Sequence, residues 1–512
     1  MRKFYALLAV VSLISFGCNT DSEHITPEEI EEQEPRLLSR EELDNMIITS
    51  LQETDEFKWS QASDEELFSA LMQGDSILTI GYRPTSEKNI AGRMASINVD
   101  EQAWQKARQD ILRNIEAQGE QRGKSIRSAD LNLFEHKVLP FIEIKISDFE
   151  IISSIRNMPN VRYAEPLGYE VNFRSAGANN REESDSGCSN DPENGLSLDD
   201  YTVISPNAKV SWNYSFMNIP QAWNYATGQG IAVGLIDTGI SAGQAKLNSQ
   251  FNSGYSSGRY VNKYGFYNSS FWPWNTDPDG PDDQCGHGTA MAGVIAAPRS
   301  NSGSSVGVAY NANLVATRGT GDVIVNSGKE KTGVSDALVF LGDRSDVKII
   351  SMSIGDVFTN SKVEDAIRYA YGKGKLIFAA AGTSTSFTNW YGVIFPASMS
   401  ETVAVTGIKE GQYERCDVCH SGSQVDFTIV MEKASNDRHG LTLAMSGDQP
   451  STVGGSSVAT ATAAGIAALV WSNHPNWNRD QVLNKLKETA DLYPNRNSEY
   501  GWGTIDALAA VN

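Results

Sequence analysis

Basic residues are in short supply in this sequence of 512 residues. Lys and Arg number 42 against 63 Asp and Glu, a formal net charge of −21. Phosphate backbones are bound by basic faces, so nucleic acid is excluded as the expected partner. An acid excess of this size is enough by itself to keep a protein in solution. Long hydrophobic runs are also missing. The apolar stretch over residues 4–16 is too short to span a bilayer, and the chain carries no internal repeat. Cysteine is scarce at five and histidine at six, so each copy of either can be weighed individually.

The N-terminus "MRKFYALLAVVSLISFGC" has a basic start, an apolar run and then Gly17-Cys18, the layout of an export signal over residues 1–17. Its end resembles a bacterial lipobox, which implies cleavage before Cys18 and acylation of the Cys18 thiol. Phe16 is bulkier than the usual residue there, and an ordinary signal peptide cut nearby is the alternative. The acidic run "DSEHITPEEIEEQE" reads as a solvated tether. Asn19 rather than Asp after the cysteine, together with this acidic run, resembles lipoproteins that leave the inner membrane. The expected location is therefore outside the cytoplasm, as a membrane-anchored lipoprotein in the periplasm or on the cell surface. Without Cys18, four cysteines remain: Cys188, Cys285, Cys416 and Cys419. An even number in an oxidising compartment implies two disulfides, with three pairings open.

Five spans follow from changes in texture: the signal over 1–17, an acidic tether with some helical pattern over 18–74, a compact α+β module over 75–172, a linker over 173–205, and a large domain over 206–512. In the module, "SILTIGY", "VLPFIEIKI" and "VRYAEPLGYEV" read as strands. "DEQAWQKARQDILRNIEAQ" has helical spacing, with Trp104, Ile111 and Ile115 on nearby faces, and "SDFEIISSIRNMPN" reads as a capped helix. The linker is rich in Asn, Asp, Ser and Gly. In the large domain, strands and helices alternate as in an open parallel sheet.

Three segments there carry chemistry. "GGSSVATATAAGIAALV" is a buried helix apolar all round, with glycine and serine at its mouth. Unpaired N–H groups at such a terminus stabilise an anion, so a serine placed there is either a simple N-cap or a nucleophile whose oxyanion is held by them. "IAVGLIDTGI" is an apolar strand with Asp237 near its carboxyl end, where open α/β sheets place their chemistry. "CGHGTAMAGVIAA" sets His287 between two glycines before a small-residue helix. Each could be a cap or a chance placement by itself; a carboxylate, a histidine and a serine in matched settings together form a catalytic set.

These segments, in the order Asp237, His287, Ser457, resemble the signatures of the subtilisin family of serine peptidases, over roughly residues 212–512. The resemblance implies a three-layer α/β parallel-sheet catalytic domain and an endopeptidase working through an acyl-enzyme. In it Ser457 is the nucleophile, His287 the general base and then acid, and Asp237 the group that orients His287. Peptide or protein substrates pair as added strands along Ser353-Ile354-Gly355 and Ala380-Ala381-Gly382. No cofactor is needed for the chemistry. The α+β module, best over "VLPFIEIKISDFEIISSIRNMPNVRYAEP", resembles the family's inhibitory propeptide, which implies an inhibitor removed by self-cleavage in the linker. Its alternative is an unrelated small domain.

Three residues depart from the family pattern. Thr383 in "LIFAAAGTSTS" stands where the family has the Asn that completes the oxyanion site with the Ser457 backbone. Ala461 stands where proline is common. Ile394 falls where a small residue often floors the pocket, which implies small or medium side chains before the cut. Thr383 donates in place of the family Asn, or the Ser457 backbone N–H with Ser456 carries the load, or the protein is a weak or inactive pseudopeptidase acting as a surface binding protein. "CDVCH" has c-type haem spacing, and a zinc site from Cys416, Cys419 and His420 is a further alternative; a disulfide or plain loop is the simpler one. The acidic "NTDPDGPDD" before His287 could hold structural Ca²⁺, favour basic substrates or be a solvated loop, and Asn301 resembles a family calcium ligand.

Overall fold

The computed structural model describes residues 36–54, 56–121, 131, 133–172, 188, 190–270, 277–383, 392–411 and 413–512. The expected signal, Cys18, the acidic run and most of the first part of the linker lie outside them. Contacts divide the chain into residues 1–36 and 37–512, and the described helices and strands all belong to the second unit.

Residues 40–73, expected as tether, form two helices, α1 (Arg40–Thr54) and α2 (Asp64–Gln73). Ser63 and Glu66 close a capping box on α2, and Leu43, Ile47 and Leu51 of α1 are fully buried. Acidic composition hid the apolar face that docks α1. The module continues as β1 (Ile77–Tyr82), α3 (Gln102–Gln121), β2 (Phe134–Glu135), β3 (Phe141–Lys145), α4 (Phe149–Arg156) and β4 (Val161–Pro166). Its antiparallel sheet has the order β2-β3-β1-β4. Trp104, Ile111 and Ile115 point into its core, as their spacing predicts, and Asp148 caps α4.

A hairpin, β5 (Tyr201–Ile204) and β6 (Ala208–Ser211), and short α5 (Ile219–Ala222) lead into β7 (Ala232–Asp237), β8 (Val261–Gly265), α6 (His287–Ala296), β9 (Asn313–Arg318), α7 (Gly328–Asp343) and β10 (Val347–Met352). Then come α8 (Ser361–Gly372), β11 (Leu376–Ala380), β12 (Val403–Lys409), β13 (Val425–Glu432), the hairpin β14 (Gly440–Leu443) and β15 (Pro450–Val453), α9 (Gly455–Asn473), α10 (Arg479–Glu488) and α11 (Ala507–Val511). A seven-stranded parallel sheet runs β13-β12-β11-β10-β7-β9-β8. The apolar strands Ala232–Asp237 and Leu376–Ala380 are buried along their whole length, as a parallel sheet covered on both faces requires. Helices α6 and α9 cover one face. Helices α7 and α8 cover the other, and the module's sheet packs on their outer side, so that Leu78, Ile80 and Phe141 share one apolar cluster with Val334, Leu338 and Ile367. The three-layer α/β architecture with a small α+β module in front is thus present. Strand order turns at β7: β8 and β9 lie on one side of it, β10 to β13 on the other.

Candidate active site

Asp237 ends β7 at this turning point and is fully buried. Its Oδ1 accepts from the Thr238 N–H at 2.8 Å and pairs with His287 Nδ1 at 2.7 Å. His287 is the first residue of α6 and is 3% exposed. The first turn of α6 abuts the loop after β7 so closely that a Cβ on Gly288 would lie 2.3 Å from the Gly239 carbonyl oxygen. Only glycine permits that approach. Burial of the His287 ring opposes its charged form. The charge and hydrogen bond of Asp237 outweigh this, with Asp283 and Asp322 behind them, and hold the imidazole above its ordinary value.

The buried helix expected from about Val458 begins three residues earlier, with Gly455 at φ 78° as its first residue and Ser457 in its first turn. Ser457 is partly exposed. Its Oγ donates to the Ser353 carbonyl at 3.3 Å, and Ser353 Oγ donates to the Ser457 carbonyl at 2.9 Å. The pair ties the mouth of α9 to the segment after β10. Ser456 is buried. Its Oγ accepts from the Gly382 N–H at 3.2 Å and lies 3.1 Å from Thr383 Oγ1. Thr383, exposed after β11, stands directly beside Gly455, where a Cβ would meet its Oγ1 at 2.8 Å. The carboxyl ends of β7, β10 and β11 lie side by side in the sheet, with Asp237 and His287 meeting at the end of β7 and Ser353, Ser456, Ser457 and Thr383 grouped at the first turn of α9.

Gly355 pairs with the neighbouring edge through Val323 and Val325 at 3.0 and 3.1 Å, and Ile394 accompanies it, its Cδ1 3.0 Å from where a Gly355 Cβ would be. The Ile394 N–H donates to the Ala381 carbonyl at 2.9 Å. Ile354 and Ala380 are buried. The last described residues of the module reach this region. Tyr169 shares an apolar cluster with Val357 while Phe358 and Ile394 pack against it, and Lys331 Nζ donates to the Leu167 carbonyl at 3.0 Å.

Cysteine pairing resolves to Cys188–Cys285 and Cys416–Cys419. The second bridge removes the thiols that a haem or zinc at "CDVCH" would need, and His420 Nδ1 lies 2.8 Å from the Gly392 carbonyl. Asn301 is exposed, and its carbonyl accepts from Asn207 at 3.2 Å. Within the described part of the acidic run, Asp277 and Asp279 are exposed, Asp279 accepting from the Ser269 N–H; Asp282 is half-buried and accepts from the Ala242 N–H; Asp283 alone is buried. Sequence reasoning named Ser456 only as an alternative oxyanion contributor and missed Asp283 as a member of the site. The position of Asp283 four residues before His287 was the one available signal.

The subtilase family pattern matches residues 228–503, more than half of the chain and all three of the segments just described. The chain belongs to the subtilase family. It is a subtilisin-like serine endopeptidase. Thermitase of Thermoactinomyces vulgaris is 28% identical to it over 57% of this chain and 92% of its own length. M-protease of Shouchella clausii (strain KSM-K16) is 29% identical over 63% of this chain and 75% of its own. The crystal structure of MycP1 from the ESX-1 type VII secretion system covers 66% of this chain and 95% of its own at 20% identity and a TM-score of 0.47.

Proposed function

We propose that this subtilase is made as an exported precursor in which Ser457, His287 and Asp237 carry out peptide-bond hydrolysis once the N-terminal module is released. The 2.7 Å bond between His287 Nδ1 and Asp237 Oδ1, beside the first turn of α9, carries this reading. With Nδ1 held, Nε2 is the atom that takes the Ser457 proton as Oγ attacks a scissile carbonyl and returns it to the leaving amine. Apo catalytic hydrogen bonds tighten on substrate binding, so the Ser457 bond to Ser353 is compatible with this step.

Thr383 and the Ser457 backbone N–H supply the oxyanion site. Ser456 Oγ accepts from Gly382 and shares a 3.1 Å bond with Thr383 Oγ1; with Ser456 as the donor in that bond, the Thr383 proton is free for substrate. Substrate lies as a strand along Ser353-Ile354-Gly355 and Ala380-Gly382 once the Gly355 bonds to Val323 and Val325 open to admit it, and Ile394 restricts the residue before the cut to small or medium side chains. The module is the enzyme's own inhibitor. Its removal is a self-cleavage, and Cys18 carries the lipid that anchors the protein to a membrane outside the cytoplasm. The cut falls before Cys188. Beyond it, the disulfide to Cys285, the Asn190 side chain and the Asp200–Lys433 pair tie the chain to the catalytic domain.

Expression of the exported form with and without Ser457→Ala, followed by intact mass, tests this. Loss of the module from the unsubstituted protein alone, with the new N-terminus between residues 173 and 188, is the expected result. Full-length protein in both cases, in calcium at neutral pH, overturns self-processing.

A further inference from the structure

Asp283 lies in the acidic stretch before His287, where a carboxylate ordinarily points to water. It is instead 2% exposed and accepts five hydrogen bonds. Oδ1 takes the Thr238 hydroxyl at 2.9 Å and the Cys285 and Gly286 N–H groups at 2.9 and 2.7 Å. Oδ2 takes the Thr289 N–H at 2.9 Å and the Thr289 hydroxyl at 2.6 Å. The donors come from two separate turns, one leaving β7 and one entering α6. Thr238 closes the circuit: its N–H donates to Asp237 Oδ1, and its hydroxyl oxygen accepts from the Gly288 N–H at 2.8 Å. Asn190 braces the same turn by donating to the Gly286 carbonyl at 3.2 Å.

We propose that Asp283 is the positioning residue of the Asp237–His287 couple, its carboxylate clamping the turn that carries one to the turn that carries the other and so setting their separation. A buried carboxylate is costly unless fully hydrogen-bonded, and here the bonds that satisfy it span the two turns that must stay in register. It touches neither substrate nor a reacting atom; it acts through Thr238, Gly286 and Thr289. The charged groups facing His287 are Asp237, Asp283 and Asp322.

This deepens the proposed role of Asp237 and His287 and rests on it. The test is steady-state hydrolysis of a chromogenic peptide by the full, processed chain, with competent sites counted by a serine-reactive fluorophosphonate. Per competent site, Asp283→Asn is expected to lower kcat by about a hundredfold, the cost of a small misplacement of reacting groups. KM stays within about twofold, because ground-state binding is untouched. The acid limb of kcat/KM moves to lower pH, because the imidazolium loses a neighbouring negative charge. A merely structural role would reduce the number of competent sites and leave their kcat and limb in place. Should Asp283→Asn not fold, Thr238→Val removes the bridging hydroxyl without changing charge; kcat falls with the limb unmoved, and Thr238→Ser restores most of the loss. Wild-type kcat per site in Asp283→Asn, whether or not the limb moves, or wild-type kcat in Thr238→Val, overturns the proposal. His287→Ala separates the two levels: an active His287→Ala enzyme sinks the catalytic reading itself, whereas an inactive one beside a fully active Asp283→Asn sinks only the positioning role.

Discussion

Thr383 is 3.1 Å from Ser456 Oγ and beside the first residue of α9, so its hydroxyl can occupy the place of a longer amide donor. Thr383→Val keeps the shape and removes the proton. Turnover of a peptide substrate is expected to fall by about a hundred- to a thousandfold, the usual cost of one oxyanion donor, while Thr383→Asn retains activity. Equal turnover in Thr383→Val would move the donor role elsewhere. His287 gives a second residue-level prediction. Burial disfavours its cation, but Asp237, Asp283 and Asp322 raise its pKa above the ordinary value. The neutral ring is the base, so kcat/KM rises with pH through that raised pKa. Its acid limb is expected above the unperturbed histidine value of about 6.5. A limb at or below that value in a pH–rate profile would contradict the assignment.

Among the elements, α6 and α9 deliver their side chains because small residues let helix starts approach strand ends. Gly288→Ala would place a Cβ 2.3 Å from the Gly239 carbonyl, and the first turn of α6 must retreat. Overpacking of this kind costs about 1–3 kcal/mol, and the displaced His287 should lower kcat as well. Thermal melting and steady-state kinetics on one preparation check both; an unchanged kcat would mean that the turn adjusts without moving the histidine. Helices α1 and α2 show how an element can evade composition. The charged surface of α1 reads as tether, while the buried Asp44 accepts from Tyr169 at 2.8 Å and fixes the module's end.

For the whole molecule, the contact between module and catalytic domain carries buried charge. Lys362 and Glu143, 1% and 2% exposed, pair at 2.6 Å, and Arg162 meets Asp365 with two bonds of 2.7 Å. Lys362→Met leaves the Glu143 charge unpaired, a loss of about 3–5 kcal/mol when a buried partner is removed. Release of the cut module, followed by gel filtration or onset of activity, should be correspondingly faster; unchanged release would show that water reaches Glu143. Burial also pushes the Glu165 carboxyl up to about 7, against two hydrogen bonds from Ser361. Freed from the interface, it returns toward its ordinary value of 4.5. Docking therefore takes up a proton: affinity is greatest below about pH 4.5, declines as pH rises to about 7 and levels off above. Release at pH 7.5 should outpace release at pH 5, and the reverse order would count against the buried carboxyl.

Signals carried by neighbouring residues were legible in the chain itself. The alternating strands and helices, the capped helix at Asp148, and the segments holding Asp237, His287 and Ser457 depend on spacing and on the chemistry of adjacent residues. The sequence by itself determined the parallel-sheet class and singled out Asp237, His287 and Ser457 as the candidate catalytic set. Only the tertiary structure decided what depends on groups brought together from distant positions. It paired Cys188 with Cys285, it set Ser456 between Gly382 and Thr383, and it turned Asp283 from a loop carboxylate into a clamp across two turns. It also joined Lys362 to Glu143 across 219 positions. Desolvation and hydrogen-bond partners set those roles, and both exist only once the layers have packed.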